Sequence, residues 1–519
     1  MQAVSRYHYL PVDGAELFTM VFLPEEQGKF PSVIMRSPYV DHEEHISEDE
    51  ICANRLRDLM PWLENGYAVA FQHCRGRGKS SGDCIPYVYE RADGLAMHDW
   101  IRQQSFYNGE IFLHGGSYTT SVHYVTAPWA EDIKGAVLEV QDTERYNCNY
   151  RNGFYKIGLA GGWYAGMYKK KTILNKAYVT DSFKILPLSA LSKTIFGEKA
   201  DAYDDIFQHP DQTDPFWKEN VGLIEDSGAV RNTKIPVLLT TGFYDIYTGG
   251  IFDMWNAMEP ETRKICALAV NPYDHSGSPS GQPVTFREGM LREHCGNYAI
   301  KWMNYVRGLE AAPVEPGKVT YYKLFGDQWC CDGFETSDRE LTFTLGEGEK
   351  TYRYNPYAPA TFKGGLSANF GGTAWQDPPN SRYDILSFHT PEFAEDVFVK
   401  GKMSAKLRVR SNCEDTCFYI RLSLVKEDGD YGLRDDIQQI SNFCENYVPG
   451  REAELEFSFD EHAFVIHPGE KIRIDVSSSA FPLYVPHTNQ KGLFSEQTTA
   501  KIADNTVICE KSLLKLPVE

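Results

Sequence analysis

The stretch Ile111-Phe112-Leu113-His114-Gly115-Gly116-Ser117-Tyr118-Thr119 decides how this chain is read. A short apolar run ends in Gly-Gly-Ser, and a helical pattern follows it. A strand that turns sharply into a helix through a serine strains the serine backbone and needs small neighbours, here Gly115 and Thr119. The serine Oγ is then exposed at the carboxyl end of a sheet. Helix N-terminal N–H groups lie close by, and that of Tyr118 can face a developing oxyanion. A Gly-Ser turn that merely starts a helix looks the same locally, so the flanking sequence has to choose between the two.

Outward from this turn, apolar runs alternate with amphipathic stretches. Leu17–Leu23, Ser32–Met35, Tyr67–Phe71 and Gly135–Val140 read as strands, and Glu48–Glu64, Arg91–Gln104 and Tyr118–Ala127 as helices. Short apolar runs separated by helices predict a buried, mostly parallel sheet. The pattern breaks over 146–234, which is rich in aromatics (Tyr146, Tyr150, Phe154, Tyr155, Trp163, Tyr164, Tyr168) and punctuated by Pro187, Pro210 and Pro215. That segment reads as a helical cap. Its aromatics are too many for a surface insertion unless they cover the serine and form an acyl pocket. Val237–Thr241 and Ile265–Val270 then resume the sheet, and a helical pattern over Phe286–Arg307 closes it.

A nucleophilic serine needs a base, and the base needs an orienting carboxylate. Thr241-Gly242-Phe243-Tyr244-Asp245 and Asn271-Pro272-Tyr273-Asp274-His275 each follow a predicted strand, in the order serine, acid, histidine. Alone, either residue reads as a turn or surface hydrogen-bonder. Together, at strand ends behind the elbow, Asp245 and His275 become candidates. Asp142 is the rival acid, because it too follows a strand. His123 is the rival base, on a helix that is expected to point its ring away.

After about residue 318 the texture becomes all-β, with alternating runs such as Val319–Leu324, Glu340–Leu345, Ala405–Arg410 and Phe418–Leu424. Many short strands between Gly- and Asn-bearing turns predict a sandwich, most simply a jelly roll. The expected division is a catalytic α/β unit over 1–145 and 235–317, the cap over 146–234, and the β-sandwich over 318–519.

The length of 519 residues suits two to four domains at about 100–200 residues each. With 42% hydrophobic and 24% charged residues the chain is neither disordered, collagenous nor coiled coil. A net charge of −20 excludes non-specific nucleic-acid binding and argues against docking on anionic lipid. No apolar run approaches the roughly 20 residues of a membrane span. No signal-peptide pattern and no lipidation box is read, and the 12 cysteines are dispersed. The expectation is a cytoplasmic protein with free thiols.

Lesser signals have plain readings. Arg75-Gly76-Arg77-Gly78 lacks a Walker box and reads as a structural turn. Cys413 and Cys417 have no second pair to complete a zinc set. The acidic stretch Glu43–Glu50 reads as a solvated helix start. No cofactor and no metal is expected.

Gly115-Gly116-Ser117-Tyr118 resembles the Gly-x-Ser-Tyr-x-Gly elbow of the cocaine esterase and Xaa-Pro dipeptidyl-peptidase family of serine hydrolases. That family includes α-amino-acid ester hydrolases and glutaryl-cephalosporin acylases. The likeness extends over nearly the whole chain. Pro31–Tyr39 is similar to the family's early strand and its Arg-x-Pro-Tyr segment, and Arg75–Gly82 to its Arg-Gly-Arg-x-x-Ser-x-Gly loop. Asp93-Gly94, Trp100-Ile101 and Asn108-Gly109 resemble the run into the elbow. Arg382–Leu386 and Ser477–Pro482 resemble landmarks of the C-terminal domain.

The resemblance implies an α/β-hydrolase domain with an inserted helical cap, followed by a jelly-roll β-sandwich. It implies Ser117 as nucleophile, Asp245 as acid and His275 as base. It also implies an oxyanion hole made by the Tyr39 hydroxyl and the Tyr118 N–H. Without it, Tyr39 reads as a core aromatic beside a proline. Thr120 departs from the pattern by standing at the second glycine, and is expected to tighten the helix start and narrow the pocket.

The function expected is a serine hydrolase cleaving carboxylic esters or amides through an acyl-enzyme. The alternatives are an Xaa-Pro dipeptidyl peptidase or α-amino-acid ester hydrolase and, more remotely, a non-catalytic binding protein on the same fold. An ammonium-bearing substrate would need carboxylates near the acyl pocket, with Asp142, Glu144, Asp204 and Asp205 as candidates. The expected partner is a small-molecule ester, amide or short peptide, with a homodimer allowed and neither nucleic acid nor membrane.

Overall fold

The protein is described here from a computed structural model covering residues 2–129, 132–167, 184–219, 233–280, 283–365 and 372–519. Its N-terminal part supplies β1 (Val4–Val12), β2 (Ala15–Leu23), β3 (Phe30–Ser37), α1 (Glu48–Glu64), β4 (Ala68–His73), α2 (Glu90–Arg102), β5 (Tyr107–Gly116), α3 (Tyr118–Tyr124) and β6 (Ile133–Glu139). A small hairpin, β7 (Tyr150–Arg151) and β8 (Phe154–Tyr155), opens the cap segment, followed by β9 (Val237–Gly242), β10 (Ala267–Asn271), β11 (Val319–Lys323) and β12 (Gln328–Asp332).

Ten of these strands form one sheet in the order β1-β2-β4-β3-β5-β6-β9-β10-β11-β12. The pairs β1/β2, β2/β4 and β11/β12 are antiparallel. The central strands run parallel, and alternate residues feed opposite faces. Leu113, Leu138 and Leu239 pack with α2 and α3, while Phe112, Val137 and Leu238 pack with α1 and the helix Tyr298–Val306. The register aligns Gly116 with Glu139, Glu139 with Thr240, and Gly242 with Asn271. Whatever follows β5, β6, β9 and β10 therefore lies along one edge of the sheet.

The run Val319–Leu324, expected within the sandwich, joins this first sheet instead. β11 pairs parallel with β10 and carries β12 as the outer strand. Its alternating texture had no feature to say which sheet it would enter. From Glu340 onward the strands of the sheets pair antiparallel. One sheet runs Glu340–Thr344, Leu513–Pro517, Ser404–Ser411, Ala503–Ile508 and Glu349–Tyr354, with Ala453–Ser458 paired to Ser404–Ser411. A second holds Leu386–His389, Lys471–Ser477, Cys417–Lys426 and Gly429–Gln439.

Between β6 and β9 the described residues are mainly short helices, with the hairpin β7/β8 as an exception to the all-helical expectation. Tyr146, Tyr150, Tyr155 and Trp217 pack on one another in a core that the cap shares with Tyr87, Tyr118 and Val122 around the elbow and with Phe481 and Val485 of the C-terminal part. Tyr168 lies outside the described residues. The acidic stretch is also not uniformly solvated. Ser47 caps α1 by accepting from the Glu50 N–H, but Glu43 is buried against Arg55 at 2.6 Å and His73 at 2.8 Å.

Candidate active site

Ser117 sits between β5 and α3 with φ 58° and ψ −137°, a backbone region that residues with a Cβ rarely occupy. The turn is held from three sides. Gly115 is required, because a Cβ there would stand 2.0 Å from the Thr119 carbonyl oxygen. Thr119 Oγ1 bonds back to both the N–H and the carbonyl of Gly116, each at 2.7 Å. Thr120 Oγ1 donates to the Gly115 carbonyl at 2.5 Å and accepts from the Glu139 N–H at 3.0 Å. Thr120 is buried and is absent from the described lining of the pocket. It ties the elbow to β6 and does not narrow the pocket as its side chain was expected to.

The register of the sheet brings the loops after β9 and β10 to this turn. The Ser117 hydroxyl lies 2.9 Å from His275 Nε2, and His275 Nδ1 lies 3.0 Å from Asp245 Oδ1. Asp245 is fully buried. Its carboxylate also accepts from the Tyr247 N–H at 3.1 Å and the Thr241 hydroxyl at 3.2 Å. With Nδ1–H directed at that carboxylate, Nε2 is left to accept from the serine. Burial alone would lower the imidazole pKa, but the charge and hydrogen bond of Asp245 outweigh it and the net shift is upward. The C-terminal sheets brace this loop, since Arg434 donates to the Phe243 carbonyl and the Tyr244 hydroxyl to the Gly432 carbonyl.

The rivals stand elsewhere. Asp142 is buried, accepting from the Glu144 N–H at 2.8 Å and from Asn147. Burial pushes its carboxyl up to about 7. His123 is buried with Nε2 3.1 Å from the His114 carbonyl oxygen. Glu144 accepts from Gln212, Asp204 accepts from Ser192, and Asp205 is exposed.

Tyr39 follows β3, on the strand beside β5. The residue is 40% exposed, but its hydroxyl lies inside, next to the Ser117 hydroxyl and the Tyr118 N–H. Desolvation raises the phenol pKa, so the group stays protonated and able to donate. Trp163 Nε1 donates to the same oxygen at 3.2 Å, a contact the sequence signalled only through the aromatic richness of the cap. Arg77, from the Arg-Gly-Arg turn, donates to the carbonyls of Pro38, Gly166 and Met167, pinning Tyr39 and the cap together. Arg75 makes two bonds to Asp93, so this turn holds protein groups.

Ser117, His275 and Tyr39 open into a cavity of about 540 Å³ walled by Leu159, Trp163 and Ile246. Among the described residues that line it there is no carboxylate. Asp142, Glu144, Asp204 and Asp205 are all outside that lining. The arrangement offers a hydroxyl, an imidazole in hydrogen-bond contact with it, a carboxylate behind the imidazole, and two N–H or O–H groups beside the hydroxyl. All twelve cysteines are free thiols, and no group of metal-ligating side chains occurs among the described residues.

Residues 13–277 match the X-Pro dipeptidyl-peptidase (S15 family), and residues 317–512 the X-Pro dipeptidyl-peptidase C-terminal non-catalytic domain. A cocaine esterase from Rhodococcus sp. (strain MB1 Bresler) is 25% identical over 545 aligned positions, covering 93% of this chain and 92% of the esterase. An aminopeptidase from a marine sediment Thaumarchaeota archaeon superposes with a TM-score of 0.83 at 17% identity, over 100% of this chain and 96% of its own. An α-amino acid ester hydrolase does so with a TM-score of 0.82 at 18% identity, over 100% and 97%.

Proposed function

The chain belongs to the X-Pro dipeptidyl-peptidase (S15) family and is a serine-hydrolase-type ester or peptide hydrolase, and from that premise we propose that it cleaves carboxylic esters of neutral, largely apolar acids through an acyl-enzyme on Ser117. The observation that carries the reading is the continuous hydrogen-bonded chain Ser117–His275–Asp245 behind a strained elbow.

In this mechanism His275 Nε2 takes the Ser117 proton as Oγ attacks the ester carbonyl. Asp245 holds the imidazole in the accepting tautomer and stabilises the imidazolium. The negative charge that gathers on the carbonyl oxygen is met by the Tyr39 hydroxyl and the Tyr118 N–H. His275 then gives its proton to the departing alkoxide. A water activated by the same imidazole attacks the acyl-enzyme, releasing the acid and restoring the Ser117 hydroxyl.

The choice of neutral esters rests on the cavity wall. A dipeptidyl peptidase or amino-ester hydrolase must desolvate a substrate ammonium, which is expensive without a counter-charge. The described lining offers no carboxylate to supply one. The test is a panel of p-nitrophenyl acyl esters beside Xaa-Pro-p-nitroanilides, with fluorophosphonate labelling of wild type and Ser117→Ala. Faster turnover of neutral esters and labelling lost in the variant are expected. Preference for the anilides would select the peptidase reading, and an unlabelled, inert wild type would select a binding protein.

A further inference from the structure

The inner end of the cavity differs chemically from its mouth. The mouth carries Tyr39, Trp163 and His275, all partly exposed. Further in, four polar side chains converge that the proposed reaction leaves unused: Gln141, Cys148, Tyr87 and Tyr247, each no more than 8% exposed.

The sheet explains their meeting. Gln141 stands just past β6, the strand beside the elbow. Its Nε2 donates to Ser121 Oγ at 2.6 Å, on α3 one turn beyond Ser117. The Cys148 sulfur lies 3.7 Å from the same nitrogen, and the hydroxyls of Tyr87 and Tyr247 hydrogen-bond to that sulfur. Gln141 Oε1, buried within a residue only 1% exposed, has no hydrogen-bond partner. A buried amide oxygen left unpaired is destabilising, and such atoms in folded proteins usually have a use.

The four side chains are themselves uncharged, and the titratable groups beside Cys148, Asp142 and the buried Lys156, are of opposite sign. Burial pushes the Cys148 thiol up to about 12 and both phenols well above their ordinary range. The neighbouring Asp142 packs against Gly250, where a Cβ would meet its Oδ2 at 2.0 Å. A neutral side chain on the cavity wall with an unpaired acceptor is matched by a neutral donor.

We infer that this inner end is a specificity subsite for an acyl group bearing a neutral hydrogen-bond donor, a hydroxyl or a carboxamide N–H, which Gln141 Oε1 receives at the wall it shares with Cys148, Tyr87 and Tyr247. The inference rests on the ester-hydrolase reading above. It makes Gln141 the residue that separates a hydroxy-acyl ester from its methyl isostere. A site built to pair a buried polar group rejects an analogue lacking the partner far more strongly than an apolar pocket rejects an extra methyl.

The experiment uses p-nitrophenyl esters in pairs whose acyl chains carry hydroxyl or methyl at the same carbon, moved along the chain. At one position wild type is expected to favour the hydroxy ester in kcat/KM by roughly tenfold or more, and Gln141→Met to abolish or invert that ratio. Preference for methyl at every position in wild type, or a ratio unchanged in Gln141→Met, overturns the subsite. If Gln141→Met fails to fold, the nearly isosteric Gln141→Glu serves. It keeps an acceptor oxygen at the same place, so the hydroxyl preference is expected to persist while turnover of amino-acyl esters rises, and loss of the hydroxyl preference or no gain on amino-acyl esters overturns the inference. The two readings fail differently. A wild type that neither labels with fluorophosphonate nor turns over a plain acetate ester removes the hydrolase reading and the subsite with it. A labelled, active enzyme blind to the hydroxyl removes only the subsite.

Discussion

Trp163 Nε1 donates to the hydroxyl oxygen of Tyr39 at 3.2 Å. That bond occupies a phenol lone pair and leaves the phenol proton for another acceptor. It therefore orients Tyr39 as a donor toward the space beside Ser117, where a carbonyl oxygen would gain charge. The cap thus contributes to the electrostatics of the site as well as to its wall.

Removing the Tyr39 hydroxyl should cost rate with little change in stability. Tyr39→Phe is expected to lower kcat by roughly 10²–10³, about 2.7–4 kcal/mol of transition-state stabilisation, with KM little changed. Trp163→Phe should lower kcat less in wild type and have no further effect on kcat in the Tyr39→Phe background. Steady-state kinetics of the four proteins as a double-mutant cycle checks this, and strictly additive kcat effects would show that the indole acts only through packing.

The two carboxylates that follow β6 and β9 should respond oppositely to amidation. Asp245→Asn leaves His275 in the wrong tautomer and is expected to cut kcat by on the order of 10⁴, as in well-studied triads. Asp142→Asn should keep kcat within severalfold and change the pH dependence of stability. The folded-state pKa of Asp142 is raised to about 7, so wild type loses stability as pH rises from the unfolded carboxylate value to about 7. Replacing it by a neutral amide removes that loss. Melting temperatures across this pH window check the sign.

Much of this was legible in the sequence, for identifiable reasons. The central strands are buried on both faces and read as continuous apolar runs, and Ser117, Asp245 and His275 follow such runs directly. β1 escaped notice because it is an edge strand with its middle exposed, so its Tyr, His and Arg residues present no apolar run. Thr120 was misjudged because its neighbours across the sheet are unrelated in sequence position. Its hydroxyl serves Gly115 and Glu139, and nothing local tells which way the side chain turns. Gln141 was missed for the same reason, and Trp163 was read as a pocket aromatic without its bond to Tyr39. Each matters through one atom contributed to a cavity that only the folded chain creates.

The pH profile of kcat/KM should carry the mark of Asp245. In the proposed mechanism His275 must be neutral to accept the Ser117 proton, and Asp245 raises its pKa above the ordinary 6.5 despite burial. Activity is therefore expected to be lost as pH falls, with a midpoint above about 6.5 in wild type. The residual activity of Asp245→Asn should show that midpoint moved down. A midpoint independent of residue 245 would mean that another group controls the acid limb.

The elbow should also leave its mark on stability, independently of turnover. Ser117 holds φ 58° and ψ −137°, where a side chain is strained by roughly 1–3 kcal/mol and glycine is not. At ordinary positions glycine is less stable than alanine by roughly 0.5–1 kcal/mol, because its unfolded chain is freer. The two terms oppose each other here, and the strain is the larger. Ser117→Gly is therefore expected to be more stable than Ser117→Ala, reversing the usual order, while both variants lose ester turnover. Alanine keeps the Cβ and hence the strain, losing only the hydroxyl and its bond to His275, so it should melt close to wild type. Equilibrium denaturation of the three proteins isolates the backbone term. Finding glycine the least stable would show that the turn is relaxed and that the nucleophile is presented without strain. Turnover by Ser117→Ala within tenfold of wild type would remove the serine from the mechanism altogether.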